Sequence, residues 1–229
     1  MTDRIQSQPN ATTEQNNDTH SVVFLVDDDE KIRSTVSRAL SKRGFVVRTF
    51  EDAKHFLDEY APDQPGCLVL DYGLPELNGL ELQERLADLQ ISIPIIFITG
   101  HGGIRESVQA MKAGAIDFLE KPFRQNTLIN CITNAMEADK RSRSEGNARR
   151  DALEKFERLT TREREIANFM VANPSNTASK EIGRELNISP RTVDHHRARI
   201  QEKMGIHSVA ELIDLSSKIG EIAFSPATA

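Results

Sequence analysis

The sequence is poor in cysteine and has no long apolar run. Cys67 and Cys131 are the only cysteines among 229 residues, and they do not form a close pair. A disulfide framework and a thiolate metal site are therefore not indicated, and a reducing cytoplasm fits best. The longest apolar stretches are short runs such as Ile95 to Ile98. They are far below the roughly 18 to 20 residues of a membrane span. Residues 1–20 are polar and lack the apolar core of a secretory signal, so we expect neither membrane insertion nor secretion.

The net charge and its distribution bear on how the chain could bind nucleic acid. The net charge of −6 argues against a protein that coats nucleic acid nonspecifically. Positive charge is local: the stretch from Lys140 to Arg150 carries five bases and one acid. Any basic surface is therefore restricted to a part of the chain.

From Val22 onward, short β-branched runs alternate with segments of helical period, which is typical of a parallel sheet with crossover helices. One predicted helix carries its apolar stripe on Leu82, Leu86 and Leu89. The predicted strands are 22–26, 46–50, 67–71, 95–99 and 116–120. This pattern predicts an α/β fold with five βα units.

The second half changes character. Residues 139–151 have no apolar stripe and are predicted to be a charged linker or an exposed helical extension. Beyond them, helix signals predict four short helices, with a helix-turn-helix between the second and third. The signals are a capping box at Thr160 to Glu163, a cap at Ser179, Ser189 before Pro190, a stop at Gly205, and a capping box at Ser208 to Glu211. The predicted organisation is a polar tail 1–20, an α/β domain 21–138, a linker 139–156, a helical domain 157–220 and a tail 221–229.

Acidic residues follow two of the predicted strands. Asp27, Asp28 and Asp29 follow the first strand, and Asp71 ends the third. In a doubly wound sheet of order 2-1-3-4-5 these strands are neighbours, so their carboxyl ends converge. Converging carboxylates repel one another unless a cation neutralises them, and oxygen ligands favour Mg²⁺. The alternative without a functional role is that the three consecutive acids are solvent-exposed residues that cap the end of the strand.

Two further polar residues are predicted at the same edge: Thr99 ends the fourth strand, and Lys121 follows the fifth. A hydroxyl, an ammonium and a metal around one carboxylate are the parts that hold a phosphoryl group. Asp71 is then a candidate nucleophile that forms an aspartyl phosphate. A Lys-Pro pair after a strand can also be only a turn, but the joint occurrence at four strand ends favours the functional interpretation.

These residues resemble the receiver domain of two-component response regulators. The resemblance covers residues 21–138 and lies in segments 24–30, 70–75, 98–101 and 118–123. It implies a flavodoxin-like fold and phosphoryl transfer to Asp71 from a sensor histidine kinase. It further implies that Asp27, Asp28, Asp71 and the backbone carbonyl of Gly73 hold Mg²⁺. Lys121 would pair with the acyl phosphate, while Thr99 and Phe118 would act as switch residues.

The third helix of the second domain has an apolar face on Val193, Ile200 and Met204, and the opposite face is polar. A helix of this size fits the major groove of B-DNA, and Lys180, Arg191 and Arg199 are candidate phosphate contacts. The alternative without DNA binding is that this polar face is simply the solvent-exposed side of a small helical bundle. His195 and His196 are adjacent and point about 100° apart on a helix, so a shared metal is not expected.

Residues 157–216 resemble the LuxR-type helix-turn-helix, and the two domains together resemble the FixJ branch of the NarL/FixJ group. This resemblance assigns base contacts to Asp194, His195 and Ala198, and it includes Thr192 among the DNA-binding residues. The segment from Asn173 to Ser179 is about three residues longer than the usual loop of the family. Two-fold operators need two readers, so we expect a homodimer on phosphorylation through the face 104–120. A fourth helix with Leu212, Ile213 and Leu215 exposed would supply a second contact.

The leading hypothesis is a phosphorylation-gated transcription regulator rather than an enzyme. Its expected partners are a sensor histidine kinase, double-stranded DNA, a second copy of the chain and RNA polymerase, with Mg²⁺ as the cofactor. One alternative is a DNA-binding regulator that does not depend on phosphorylation. Another is a Mg²⁺-dependent aspartyl phosphatase, but that class has a second Asp where this chain has Gly73.

Overall fold

The computed structural model describes residues 21–100 and 104–220. The chain divides into two compact units between Asp139 and Lys140. Among the described residues, no helix has both the length and the apolar character of a membrane span.

The first unit is a five-stranded parallel sheet of order β2-β1-β3-β4-β5, which confirms the predicted topology. The strands are β1 (Val22–Val26), β2 (Val46–Phe50), β3 (Gly66–Asp71), β4 (Ile95–Thr99) and β5 (Asp117–Glu120). The connecting helices are α1 (Glu30–Ser41), α2 (Ala53–Glu59), α3 (Gly79–Asp88) and α4 (Ile104–Lys112), and α5 (Gln125–Glu157) follows β5.

Side chains alternate between the two faces of the sheet, as the period of a strand requires. Phe24 of β1 packs in one apolar cluster with Phe56 of α2 and Leu82 of α3. Leu25, the next residue along β1, packs in the opposite cluster with Leu40 of α1 and Leu128 of α5. β1 and β3 are buried along their whole length, so the ends of these two strands are held firmly in place.

Two helices begin directly after the loops that carry the acidic residues. Asp29 is the N-cap of α1, and its carboxylate accepts hydrogen bonds from the backbone N–H groups of Lys31 and Ile32. Asn78 opens α3 with a capping box completed by Glu81. Each cap satisfies backbone donors that a helix terminus otherwise leaves unpaired.

The boundaries of the predicted elements shift at a few residues. β3 begins at Gly66, and β5 begins at Asp117 rather than Ile116. Leu89 was predicted on the buried stripe of α3, and this is wrong because the helix ends at Asp88 and leaves Leu89 54% exposed. The residues predicted as a linker or a helical extension are helical, since α5 extends to Glu157.

The second unit contains helices α6 (Thr161–Ala172), α7 (Ser179–Glu185), α8 (Pro190–Met204) and α9 (Val209–Ile219). Its core gathers Phe156, Ile166, Val193 and Ile200, among other apolar residues. Start and stop signals read from the sequence lie where predicted: Thr160 opens α6 with a capping box, Ser189 caps α8 before Pro190, and Gly205 ends α8 with φ 65°. The helix-turn-helix is thus α7 and α8.

Three predictions for this unit are wrong in whole or in part. Ser179 is the first residue of α7 rather than its cap, and Ala178 takes the cap position without a side-chain hydrogen bond. The apolar face of α9 is not free, because Leu212 is fully buried and Leu215 packs against the core of the same unit. An apolar stripe in a sequence does not reveal whether its own domain covers it. Ser208 does cap α9, but Glu211 accepts from His207 N–H rather than from Ser208 N–H.

Candidate functional site

Three carboxylates converge at the carboxyl ends of β1 and β3. Asp27 and Asp28 directly follow β1, and Asp71 is the last residue of β3, which pairs with β1 in parallel. Each of these residues offers a carboxylate oxygen that lies within 4.8 Å of one on each of the other two. Asp27 is fully buried and Asp71 is 6% exposed, whereas Asp28 is exposed. The convergence predicted from the strand order is therefore present.

One ammonium group joins two of these acids. Lys121 follows β5, and its Nζ donates to Asp27 Oδ2 at 2.7 Å and to Asp71 Oδ1 at 3.0 Å. Its side chain is 16% exposed. An ion pair with so little solvent depends on close geometry, because the charged groups have lost much of their hydration. Lys121 therefore offsets part of the repulsion between the two carboxylates.

The pKa values follow from this burial and charge. Burial raises the pKa of Asp71 above its ordinary value, and the hydrogen bond from Lys121 only partly opposes that shift. Burial acts to lower the pKa of Lys121, but its hydrogen bonds to Asp27 and Asp71 outweigh burial and raise the pKa. The ammonium group of Lys121 is thus held in its charged form.

The donor set fits a hard divalent cation. All three converging side chains offer oxygen, which Mg²⁺ prefers over nitrogen or sulfur. A Cβ added at Gly73 would lie 3.7 Å from Asp71 Oδ2, at ordinary van der Waals distance. The backbone of the loop after β3 therefore passes close to the Asp71 carboxylate. Asp27, Asp28, Asp71 and the Gly73 carbonyl are the groups that could hold the ion.

The two predicted switch residues lie on the strands beside Asp71. Thr99 is 2% exposed at the end of β4, and its carbonyl accepts from Lys121 N–H at 2.7 Å. Phe118 on β5 is half-buried, and its ring centroid lies 6.3 Å from those of Tyr72 and Phe97. The Phe118 ring thus belongs to an aromatic cluster with Phe97 and with Tyr72, the residue that follows Asp71. His101, part of a motif in the sequence, lies outside the described residues.

Sequence reasoning missed two supports of the site. Asp29 donates its backbone N–H to Asp27 Oδ1 at 3.0 Å, and Arg33 of α1 donates to the Asp27 carbonyl at 2.6 Å. The cap role of Asp29 had a signal, since Asp is a preferred N-cap before a helical stripe. Arg33 had none, because its contact depends on how α1 packs. Both interactions fix the backbone on which Asp27 and Asp28 lie.

The second candidate region is the helix-turn-helix. Val193, Ile200 and Met204 of α8 are buried, as predicted. The residues predicted to meet DNA are all exposed: Lys180, Arg191, Thr192, Asp194, His195, Ala198 and Arg199. The structure thus leaves one face of α8, together with Lys180 of α7, open to solvent.

These exposed side chains differ in their partners. Within the described part of the chain, Lys180, Arg191 and His195 make no side-chain hydrogen bond or ion pair. Arg199 lies 3.4 Å from Glu202, a long and exposed contact that is worth little. Asp194 accepts a hydrogen bond from the hydroxyl of Ser179 on α7. Lys180 and Arg191 therefore have no side-chain partner among the described residues, whereas Asp194 has one of its two carboxylate oxygens engaged.

Clusters of metal-ligating side chains do not include the two histidines of α8. Their ring centroids are 6.0 Å apart. Over residues 21–100 and 104–220, the only groups of three or more suitable ligands are the site at Asp71 and the cluster of Glu51, Asp52 and His55. His55 Nδ1 in that exposed cluster lies 2.7 Å from Asp52 Oδ2, so an internal hydrogen bond already explains their proximity.

Comparison with known proteins identifies both regions. Residues 23–133 match the response regulator receiver domain, and residues 157–216 match the luxR family of bacterial regulatory proteins. Nodulation protein W of Bradyrhizobium diazoefficiens is 39% identical over 202 residues, covering 88% of each chain. Transcriptional regulatory protein FixJ of Rhizobium meliloti is 39% identical over 199 residues, covering 86% of this chain and 96% of its own. The chain belongs to the FixJ-like response regulators.

Solved structures of response regulators are also similar to this chain. The response regulator StyR has a TM-score of 0.79 and 39% identity, covering 87% of this chain and 99% of its own. Full-length FixJ from B. japonicum has a TM-score of 0.53 and 35% identity, covering 88% and 98%. The three converging carboxylates therefore lie in a receiver domain, and the exposed face of α8 lies in a LuxR-type DNA-binding domain. The response regulator is thus a transcriptional regulator.

Proposed function

We propose that this response regulator accepts a phosphoryl group on Asp71 from a sensor histidine kinase in a Mg²⁺-dependent reaction. Phosphorylation then favours dimerisation and sequence-specific DNA binding. The observation that carries the proposal is the pair of hydrogen bonds from Lys121 to Asp27 and Asp71, with Asp28 beside them. A buried acceptor, a fixed cation and an oxygen-rich metal site are the parts that phosphoryl transfer needs.

The nucleophile is an oxygen of Asp71. Lys121 donates to Oδ1, and Oδ2 accepts no hydrogen bond from the described residues, so Oδ2 is available for attack. The new O–P bond forms as the P–N bond of the phosphohistidine breaks, and the imidazole nitrogen keeps the electron pair and takes a proton from water. Asp27, Asp28, Asp71 and the Gly73 carbonyl would hold Mg²⁺, which would supply positive charge next to the phosphoryl oxygens.

The added charge then reorganises the neighbouring strands. Lys121 pairs with a phosphoryl oxygen, and the hydroxyl of Thr99 donates to another. Phe118, which is only half-buried, moves into the space that Thr99 leaves. The change therefore reaches β5, where the edge of the sheet meets α4.

The adjoining surface supports a dimer. Val108 and Met111 of α4 are each 46% exposed, and Ile116 before β5 is 37% exposed. Exposed apolar side chains grouped on one face are typical of an interaction site. We propose that phosphorylation makes this face the contact between two receiver domains.

DNA binding is proposed for α8 in the major groove, with two domains on a two-fold operator. Lys180, Arg191 and Arg199 contact phosphates, while Thr192, Asp194, His195 and Ala198 approach the bases. RNA polymerase is a further proposed partner, and the cytoplasm is the proposed location because kinase, DNA and polymerase meet there. The domain bounds predicted from the sequence remain part of this proposal, and residues 1–20 and 221–229 lie outside the described residues.

The test compares the wild type with Asp71→Asn, each with acetyl phosphate in the presence and absence of Mg²⁺. We expect mass spectrometry to locate a labile phosphate on Asp71 only in the wild type with Mg²⁺. We also expect sedimentation to show a dimer, and DNA binding to strengthen, only in that sample. Equal dimerisation and DNA binding in all samples would leave a regulator that does not depend on phosphorylation. Sustained hydrolysis of ordinary phosphomonoesters would instead reopen the phosphatase alternative.

A further inference from the structure

Asp194 lies on the exposed face of α8, and one oxygen of its carboxylate has a hydrogen-bond partner on α7. Oδ1 accepts a hydrogen bond from the hydroxyl of Ser179, the first residue of α7. Oδ2 accepts no hydrogen bond from any described residue. Asp194 therefore presents one committed and one available oxygen.

Ser179 also accepts a hydrogen bond from a second residue of α8. Arg197 is half-buried, and its Nη1 donates to Ser179 Oγ at 3.3 Å and to the Thr177 carbonyl at 3.0 Å. The contact with Thr177 also anchors the end of the extended loop before α7. Because Ala178, not Ser179, takes the cap position of α7, the Ser179 hydroxyl is not used to cap that helix.

The direction of these hydrogen bonds follows from the groups themselves. A guanidinium group can only donate, so Ser179 Oγ accepts from Arg197. The single hydroxyl proton of Ser179 is then directed to Asp194, whose ionised carboxylate can only accept. Arg197, Ser179 and Asp194 thus form one ordered chain of hydrogen bonds, which we call the Asp194 support.

We propose that Ser179 is a positioning residue that fixes Asp194 to read a single exocyclic amino group in the major groove. This inference rests on the proposed DNA binding. Cytosine is the base that fits, since its N4 amino group donates to a carboxylate. Adenine places an acceptor, N7, beside its amino group, and this acceptor repels a carboxylate. The Asp194 support therefore specifies a cytosine at one operator position.

The test uses the full chain treated with acetyl phosphate and Mg²⁺. Binding sites are selected from a pool of random DNA duplexes, and the dissociation constant is then measured for each base at every selected position. We expect the wild type to prefer cytosine at one position by about 10-fold, which corresponds to one good polar base contact. Binding to an unselected duplex supplies the nonspecific affinity.

Four variants separate positioning from other roles. Ser179→Ala should reduce the cytosine preference to about 2- or 3-fold with nonspecific affinity unchanged, and Ser179→Thr, which keeps the hydroxyl, should restore it. Asp194→Ala should abolish the preference, and Ser179→Ala combined with Asp194→Ala should match Asp194→Ala alone. Thermal unfolding measured for each variant shows whether the domain is intact, and the exposed Asp194→Ala change keeps the test valid if Ser179→Ala is unstable.

Specific outcomes would overturn the inference. One is a Ser179→Ala variant with the base preferences of the wild type. Another is a double variant with additive losses, which would mean that Ser179 acts on DNA independently of Asp194. A wild type that selects an operator without any cytosine dependent on Asp194 would also refute it. A wild type that selects no sequence at all would instead refute the proposed DNA binding itself.

Discussion

Replacing Gly79 by alanine tests how tightly the loop after β3 is packed beneath the phosphoacceptor. Gly79 is the first residue of α3, and its N–H donates to the Tyr72 carbonyl at 3.1 Å. An added Cβ would lie 2.7 Å from the Asp71 carbonyl oxygen and 2.8 Å from the ring of Phe97, whereas ordinary contacts begin near 3.4 Å. The nearest atom is backbone of a fully buried strand, so it has little freedom to move.

The expected cost is that of an overpacked core, about 1–3 kcal/mol. With a urea m-value of about 1.5 kcal/mol/M, a loss of about 2 kcal/mol lowers the unfolding midpoint by roughly 1.3 M. The assay is tyrosine fluorescence, because the chain has no tryptophan and its two tyrosines, Tyr60 and Tyr72, both lie in the first unit. Unfolding of the receiver is therefore measured without a signal from the second unit.

Gly100→Ala is the matched control in the same unit, because an added Cβ there has no neighbour among the described residues within 4 Å. We expect its midpoint to stay close to that of the wild type. If Gly79→Ala and Gly100→Ala unfold at the same urea concentration, the loop after β3 yields to the added methyl group. The reasoning that the backbone around Asp71 is rigid would then be refuted.

Three further predictions concern other parts of the chain. Burial opposes ionisation of Glu163, but Lys203, 2.6 Å away, holds the pKa of Glu163 below its ordinary value of 4.5. The free energy of unfolding that this ion pair contributes is fully present above pH 4.5 and is lost as the pH falls through the lower pKa of the folded state. The melting temperature, followed by circular dichroism, should therefore fall less at acid pH in Glu163→Gln than in the wild type. Gly146→Ala should stabilise the exposed middle of α5 by about 0.5–1 kcal/mol, and an unchanged or lower melting temperature would contradict this. Burial raises the pKa of both Cys67 and Cys131 to about 12, so a disulfide reagent at neutral pH should label them only after unfolding, and fast labelling of the native chain would count against their burial.

The sheet could be predicted because local and global signals agree. Phe24 and Leu25 are adjacent apolar residues that face opposite layers, and such continuous apolar runs are typical of a strand buried on both faces. Leu89 and α9 were misjudged for the same reason in opposite senses. Periodicity identifies an apolar face, but the end of a helix and the neighbour that covers a face are set by tertiary packing.

The site divides in a similar way. Asp27, Asp71 and Lys121 could be placed together from the strand order alone, since parallel strands bring their ends to one edge. The contact of Arg33 with the Asp27 carbonyl and that of Ser179 with Asp194 could not. Each joins a side chain to a group on another element, and their relative orientation depends on packing that no short motif encodes.

The hydrogen bonds of Lys121 also bear on how the protein is made. Lys121 follows Asp27 by 94 residues and Asp71 by 50, and it lies beyond the last strand of the sheet. A nascent chain on the ribosome therefore exposes both acids long before their cation is synthesised. Under the proposed function, competence to accept a phosphoryl group would therefore arise only after the last strand of the sheet and Lys121 have been synthesised.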